Sequence, residues 1–141
     1  MSAEALASAI VGHLVGDYLL QNDWMALGKK ENCYVCMLHA LLWTLCVCLF
    51  AGWPLQGAWI APILFVTHFI QDHTNIVSWW MRLKWKDQSR FMQNDQLEHH
   101  FTNVNNQLVY TLHPGLGPWS IIVVDNVWHI VTIWCVWRFL A

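Results

Sequence analysis

Three histidine–aspartate pairs carry the chemistry of this chain. His13 and Asp17, His68 and Asp72, and in reversed order Asp125 and His129 each stand four residues apart. On a helix, positions i and i+4 share a face, so each pair projects both groups in one direction. His39 adds a single imidazole. Mixed His and Asp ligation suits zinc, manganese or iron. Seven groups fit two ions better than one, and paired ions stabilise both the attacking and the leaving oxygen in phosphoester chemistry. Zinc is the first expectation, with manganese or iron as alternatives and one or two ions bound. One of Asp17, Asp72 or Asp125 can instead act as general base on a metal-bound water.

These residues lie in apolar surroundings. The 141 residues are 57% hydrophobic and 11% charged, with 11 tryptophans. Soluble domains are nearer 25% charged. Mean hydropathy is +0.36. These totals exclude a disordered chain, and the net charge of −2 gives no basic surface for nucleic acid. Length bounds the chain to one domain.

Four stretches approach the ~20 residues that a bilayer core requires: 3–20, 34–50, 58–80 and 119–140. The expected fold is all-α, a polytopic bundle of about four transmembrane helices. The first stretch is short and carries Glu4, His13 and Asp17. A cleaved signal peptide explains it less well, since no basic residue precedes its apolar part. Lys29, Lys30, Arg82, Lys84, Lys86 and Arg90 fall between spans on one face, and only Arg138 does not. The positive-inside rule makes that face cytoplasmic and both termini external, which suits a bacterial inner membrane. Trp79, Trp80 and Trp119 fall at the predicted boundaries, as interfacial anchors should.

With that sidedness, all seven groups can meet in the cytoplasmic half of one bundle. Asp17, Asp72 and Asp125 would form one layer, with His13, His68 and His129 in a deeper one. Three buried carboxylates cost roughly +2.5 to +3.5 kcal/mol each near a span centre unless compensated. Neutral imidazoles compensate poorly, and a divalent cation does so directly. The bland alternative is a proton-sharing polar network that only holds the helices together.

Residues 81–118 form a long polar connection ending in His113-Pro114-Gly115-Leu116-Gly117-Pro118, a strong turn signal. Residues 89–101 suit a short surface helix, and 108–112 an extended segment. Asp95 and His99 repeat the i,i+4 spacing there. An exposed helix face explains them, and so does a cap over the site that supplies a ligand, base or head-group contact. Gln21, four beyond Asp17, can hydrogen-bond a ligand or support the metal's own ligands. Lys29, Lys30, Arg82, Lys84 and Lys86 set topology and can attract anionic head groups or phosphate. Cys33 and Cys36 form a lone CxxC without the further ligands of a structural zinc site, so they read as reduced thiols.

The order of these residues resembles a family. His13-x-x-x-Asp17-Tyr-Leu-Leu-Gln21-x-Asp-Trp, Lys29-Lys30, His39, Thr67-His68-x-x-x-Asp72 and a final Asp-Asn/Gln-x-x-His resemble the small bacterial and phage membrane proteins of domain of unknown function 3307. Asp95-Gln96-x-x-His99 matches the last motif in its letters, and Asp125-Asn126-x-x-His129 matches it in apolar setting. The second is favoured. The resemblance implies no established activity. A looser similarity, of residue type and setting, links the pattern to membrane-bound metal-dependent hydrolases.

The resulting expectation is a metal-dependent hydrolase at the cytoplasmic leaflet. Its substrate would be a phospholipid or lipid-linked phosphoester. Metal would be held by His13, Asp17, His39, His68, Asp72, Asp125 and His129. The alternatives are a proton, ion or metal transporter built on the same cluster, and a non-enzymatic membrane interaction protein. A soluble four-helix metalloprotein is a residual reading. A homo-oligomer is compatible with all of these.

Overall fold

The computed structural model describes residues 2–52, 59–84, 101–102, 108–109 and 120–140. The expectations for Asp95, His99 and, up to residue 100, a surface helix over 89–101 lie outside the described residues, while Phe101 itself is in a strand rather than a helix. The chain divides into two compact units, Met1–Thr74 with Trp128–Ala141, and Asn75–Val127.

The first unit opens with α1, Ala3–Leu14, whose N-terminus is capped by the Ser2 side chain on the Ala5 N–H. A π-helical turn, Val15–Leu19, follows directly. Helix α2, Asp23–Gly28, starts at Asn22, whose side-chain oxygen accepts from Met25 N–H. Asn32 does the same for α3, Cys33–Phe50, accepting from Tyr34 and Val35 N–H. Helix α4 is Ile60–His73. The C-terminal part of α6, Ser120–Leu140, completes the unit. Side-chain oxygens one position ahead of a helix satisfy N–H groups that would otherwise have no partner, which is why these segments start where they do.

Helix α3 is the centre of the unit, packed against α1, the π-helical turn, α2 and α4. Glycine permits the α1 approach. A Cβ at Gly12 would lie 2.7 Å from the Cys46 carbonyl oxygen and 2.9 Å from Val47 Cα, and one at Gly16 would lie 3.1 Å from Trp43 Cα. Beneath this contact lies an apolar layer of Ala9, Val47, Leu64, Ile133 and Trp137.

The outward faces are also apolar. Tyr34, Met37, Leu41, Leu45 and Leu49 make an exposed stripe along α3, and Val11, Leu14, Val66, Ile70, Val131 and Trp134 are exposed on its neighbours. Six polar residues lie inside: His13, His39, His68, Gln71, Asp72 and His129 are buried.

The second unit holds α5, Ile76–Lys84, the first part of α6, and a two-residue antiparallel pairing of β1, Phe101–Thr102, with β2, Leu108–Val109. Apart from that pairing the regular structure among the described residues is helical, as expected. The extended reading of 108–112 agrees with β2 at Leu108–Val109, and 110–112 lie outside the described residues.

The spans agree less evenly. Two helices, Cys33–Phe50 and the Ile122–Leu140 part of α6, are long and apolar enough to cross a membrane. The expected span 58–80 is two helices, α4 ending at His73 and α5 beginning at Ile76. Thr74 causes the stop. Its backbone is extended, and both its N–H, at 3.1 Å, and its hydroxyl, at 2.6 Å, donate to the Ile70 carbonyl, which caps the helix end.

Candidate metal centre

Four-residue steps stack the first unit in layers. Ala9, His13 and Asp17 follow one another on α1 and its π-helical extension. Val47, Trp43 and His39 do so on α3, and Leu64, His68 and Asp72 on α4. Each sequence passes from apolar core through an aromatic or imidazole layer to the charged layer. Trp43 separates the two regimes. Its ring stacks on His68 at 3.9 Å between centroids, and its indole N–H donates to His13 Nδ1 at 2.9 Å.

The charged layer is tight. His39 Nε2 lies 3.0 Å from Asp72 Oδ2, 3.3 Å from Asp17 Oδ1 and 3.1 Å from His68 Nε2. His68 Nε2 lies 3.2 Å from Asp72 Oδ2 and 3.8 Å from Asp17 Oδ1. On the other side, His68 Nδ1 lies 3.2 Å from His129 Nδ1, and His129 Nε2 lies 3.4 Å from Asp72 Oδ1. Two groups of ligand atoms, Asp17–His39–His68 and His68–Asp72–His129, each fall within 4.8 Å.

These separations fit a metal. Four nitrogen or oxygen ligands about 2.0–2.2 Å from a tetrahedral zinc ion stand about 3.3–3.6 Å apart. The hydrogen-bond directions also fit. Thr132 Oγ1 donates to the Trp128 carbonyl and accepts from Gln71 Nε2 at 2.7 Å. Gln71 Oε1 is therefore turned to His129 Nδ1, 2.7 Å away, which must carry the proton. The lone pair of His129 Nε2 then faces Asp72 Oδ1. Likewise, the indole N–H makes His13 Nδ1 an acceptor, yet Asp17 Oδ2 lies 3.2 Å from it. Lone pair against carboxylate oxygen is repulsive unless a cation or a proton lies between. Asp17 Oδ1, also buried, is faced by two ring nitrogens, His39 Nε2 at 3.3 Å and His68 Nε2 at 3.8 Å. A ligating histidine normally donates its other N–H to an acceptor, as His129 does to Gln71.

The sequence-derived candidates divide accordingly. Asp17, His39, His68, Asp72 and His129 come together. His13 touches Asp17 but is in neither group of ligand atoms, because the indole of Trp43 holds its Nδ1. Asp125 is half-buried in the second unit and is likewise in neither group. Gln21 supports the site, its Oε1 accepting from Lys29 Nζ at 3.1 Å.

Four side chains join the site beyond the expected ligands: Lys29, Gln71, Trp43 and Thr132. Lys29, expected to set topology and to attract anionic groups, also donates its ammonium to Asp72 Oδ2 at 3.0 Å. Gln71 and Trp43 looked like ordinary span residues. Gln71 had a signal, since an amide beside Asp72 in an apolar run needs a partner. The π-helical turn at Val15–Leu19, closed by Leu20 N–H on the Val15 carbonyl at 3.1 Å, carries Asp17 on its widened turn. Such turns are frequent at functional sites.

No curated protein and no solved structure matches the chain. The family described as protein of unknown function (DUF3307) matches residues 5–113. That stretch contains Asp95-Gln96-x-x-His99 and ends before Asp125-Asn126-x-x-His129, so the final motif favoured on apolar setting lies outside the matched residues, and His129 joins the cluster from outside them. With the match covering most of its length, the chain belongs to the DUF3307 family of proteins of unknown function.

Proposed function

We propose that this chain is a membrane-embedded, metal-dependent hydrolase acting at the cytoplasmic leaflet on a phospholipid or lipid-linked phosphoester. The observation that carries the reading is the convergence of Asp17, His39, His68, Asp72 and His129 at metal-ligand spacing inside a unit with an apolar exterior. Exposed apolar stripes on that scale are a liability in water and the ordinary surface in lipid. Ionisable groups within a bilayer face the protein interior and mark function by default.

In this reading α1 with its π-helical turn, α3, the α4–α5 segment and α6 are the four membrane passes, with the lysines of the α2–α3 turn cytoplasmic. Asp17, His39, His68, Asp72 and His129 hold the ion or ions, zinc first. A divalent ion there supplies Lewis acidity toward a phosphoryl oxygen and acidifies water. The protein's own residues do the rest. Gln71 and Thr132 orient His129, Trp43 packs under His68, and Lys29 sets a positive charge beside Asp72 where an anionic substrate group would arrive. The test is hydrolysis of phospholipid and lipid-linked phosphoesters by detergent-purified protein, with and without chelator. Chelator-sensitive turnover that Asp72→Asn abolishes supports the reading.

A second reading rests on a different observation. The imidazoles of His39, His68 and His129 form a chain with nitrogen contacts of 3.1 and 3.2 Å that continues to Gln71. Such chains conduct protons in pumps and transporters. This reading predicts proton or metal-ion flux into vesicles with no hydrolysis.

A further inference from the structure

The ammonium of Lys29 shares one atom with the metal centre. Asp72 Oδ2 accepts from Lys29 Nζ at 3.0 Å, and the same oxygen lies 3.0 Å from His39 Nε2 and 3.2 Å from His68 Nε2. An ion that takes Oδ2 together with those two nitrogens competes with the ammonium for that oxygen. Two cations on one buried carboxylate oxygen repel each other strongly. Lysine is the group that can give way, because its charge sits on a flexible four-carbon stem. A second partner is already in place, Gln21 Oε1 at 3.1 Å from Nζ. The Lys29 side chain is also partly exposed, whereas those of His39, His68 and Asp72 are buried, so its way out leads toward solvent. The backbone beneath it is held separately. The Lys29 carbonyl oxygen lies 2.9 Å from His73 Nδ1, and Lys30 Nζ donates to the Thr74 carbonyl at 3.1 Å. The side chain can therefore swing while the α2–α3 turn stays in place.

We propose that Lys29 is a cation that metal binding releases for the substrate. It holds Asp72 Oδ2 until the ion binds, is displaced from that oxygen, and then receives an anionic phosphoryl oxygen beside the ion. This order, metal before anion, rests on the metal reading above and adds a sequence to it. The ligand is the phosphoryl group, as free phosphate or on a lipid head group, and an ammonium is a suitable point charge for it. Metal and anion then bind with positive coupling, each raising the affinity of the other by the same factor.

The test is calorimetric titration of detergent-purified full-length protein at one pH, first with zinc. The zinc-loaded protein, freed of excess zinc, is then titrated with inorganic phosphate or with short-chain phosphatidic acid. Lys29→Met is expected to bind zinc about tenfold more tightly than the wild type, because a competing cation is gone, and when loaded to bind the anion about tenfold more weakly. A lysine that only stabilises the turn would weaken both. Where Lys29→Met does not fold before zinc is added, Lys29→Gln, which keeps a donor for Asp72 without the charge, carries the comparison. Loss on both anions means that the phosphoryl group alone is read, and loss confined to phosphatidic acid means that the lipid is read with it. Either supports the proposal. Zinc affinity that is unchanged or weaker in the variant would overturn it, and so would an unchanged anion affinity, with the metal reading left standing in both cases. Wild-type anion affinity as high without zinc as with it would also overturn it. A wild type that takes up no zinc would overturn this order and the metal reading together.

Discussion

Lys29 and Asp72 meet at 3.0 Å across 43 residues of sequence, with the Asp72 side chain 1% exposed and that of Lys29 15%. The contact ties the turn after α2 to the end of α4. It also sets a lysine ammonium against one buried carboxylate of the site.

Breaking that contact should therefore be costly in chelator-treated protein. Lys29→Met leaves Asp72 buried without its ammonium, a loss of about 3 kcal/mol, the low end for a broken buried pair because Lys29 keeps some solvent. Metal should restore most of it, since a divalent ion at Asp72 replaces the missing charge. Thermal unfolding in detergent, with and without zinc, measures both. A loss that zinc fails to reverse would separate Lys29 from the metal site.

The Trp128–Thr132–Gln71–His129 relay makes a second prediction. Gln71→Leu removes the acceptor that fixes the His129 ring, and losing such a partner weakens metal binding by about 10–100-fold. Competition with a chromophoric chelator reads this directly. Unchanged affinity would mean that His129 is not a ligand.

The α1–α3 approach makes a third. Gly12→Ala drives a methyl into the Cys46 carbonyl and Val47 backbone, which cannot yield as a side chain can. Overpacking of this kind costs about 1–3 kcal/mol. Gly28→Ala meets only Val35 side-chain carbons, the nearest at 3.2 Å, and should cost less. Equal melting temperatures for the two variants would contradict the packing described.

Much of this site was legible in the sequence because helix periodicity is a local property. The four-residue spacing of His13 with Asp17 and of His68 with Asp72 is enough to place each pair on one face, and the apolar flanks require those faces to point inward. Thr74 was harder. Its effect depends on a hydroxyl choosing the Ile70 carbonyl, so one long apolar stretch looked continuous where α4 stops. Lys29 is legible as a topology and anion-attracting residue, but only the folded turn brings it to Asp72. The role of Trp43 likewise depends on which indole edge meets His13, and no spacing encodes that.

The most direct test of the account is the metal content of detergent-purified protein by mass spectrometry, wild type beside Asp17→Ala and His68→Ala. The account predicts one or two stoichiometric zinc, manganese or iron ions in the wild type, and their loss from both variants while α-helical content is retained. A wild type that is metal-free when purified without chelator, and that takes up none of these ions on addition, would contradict it.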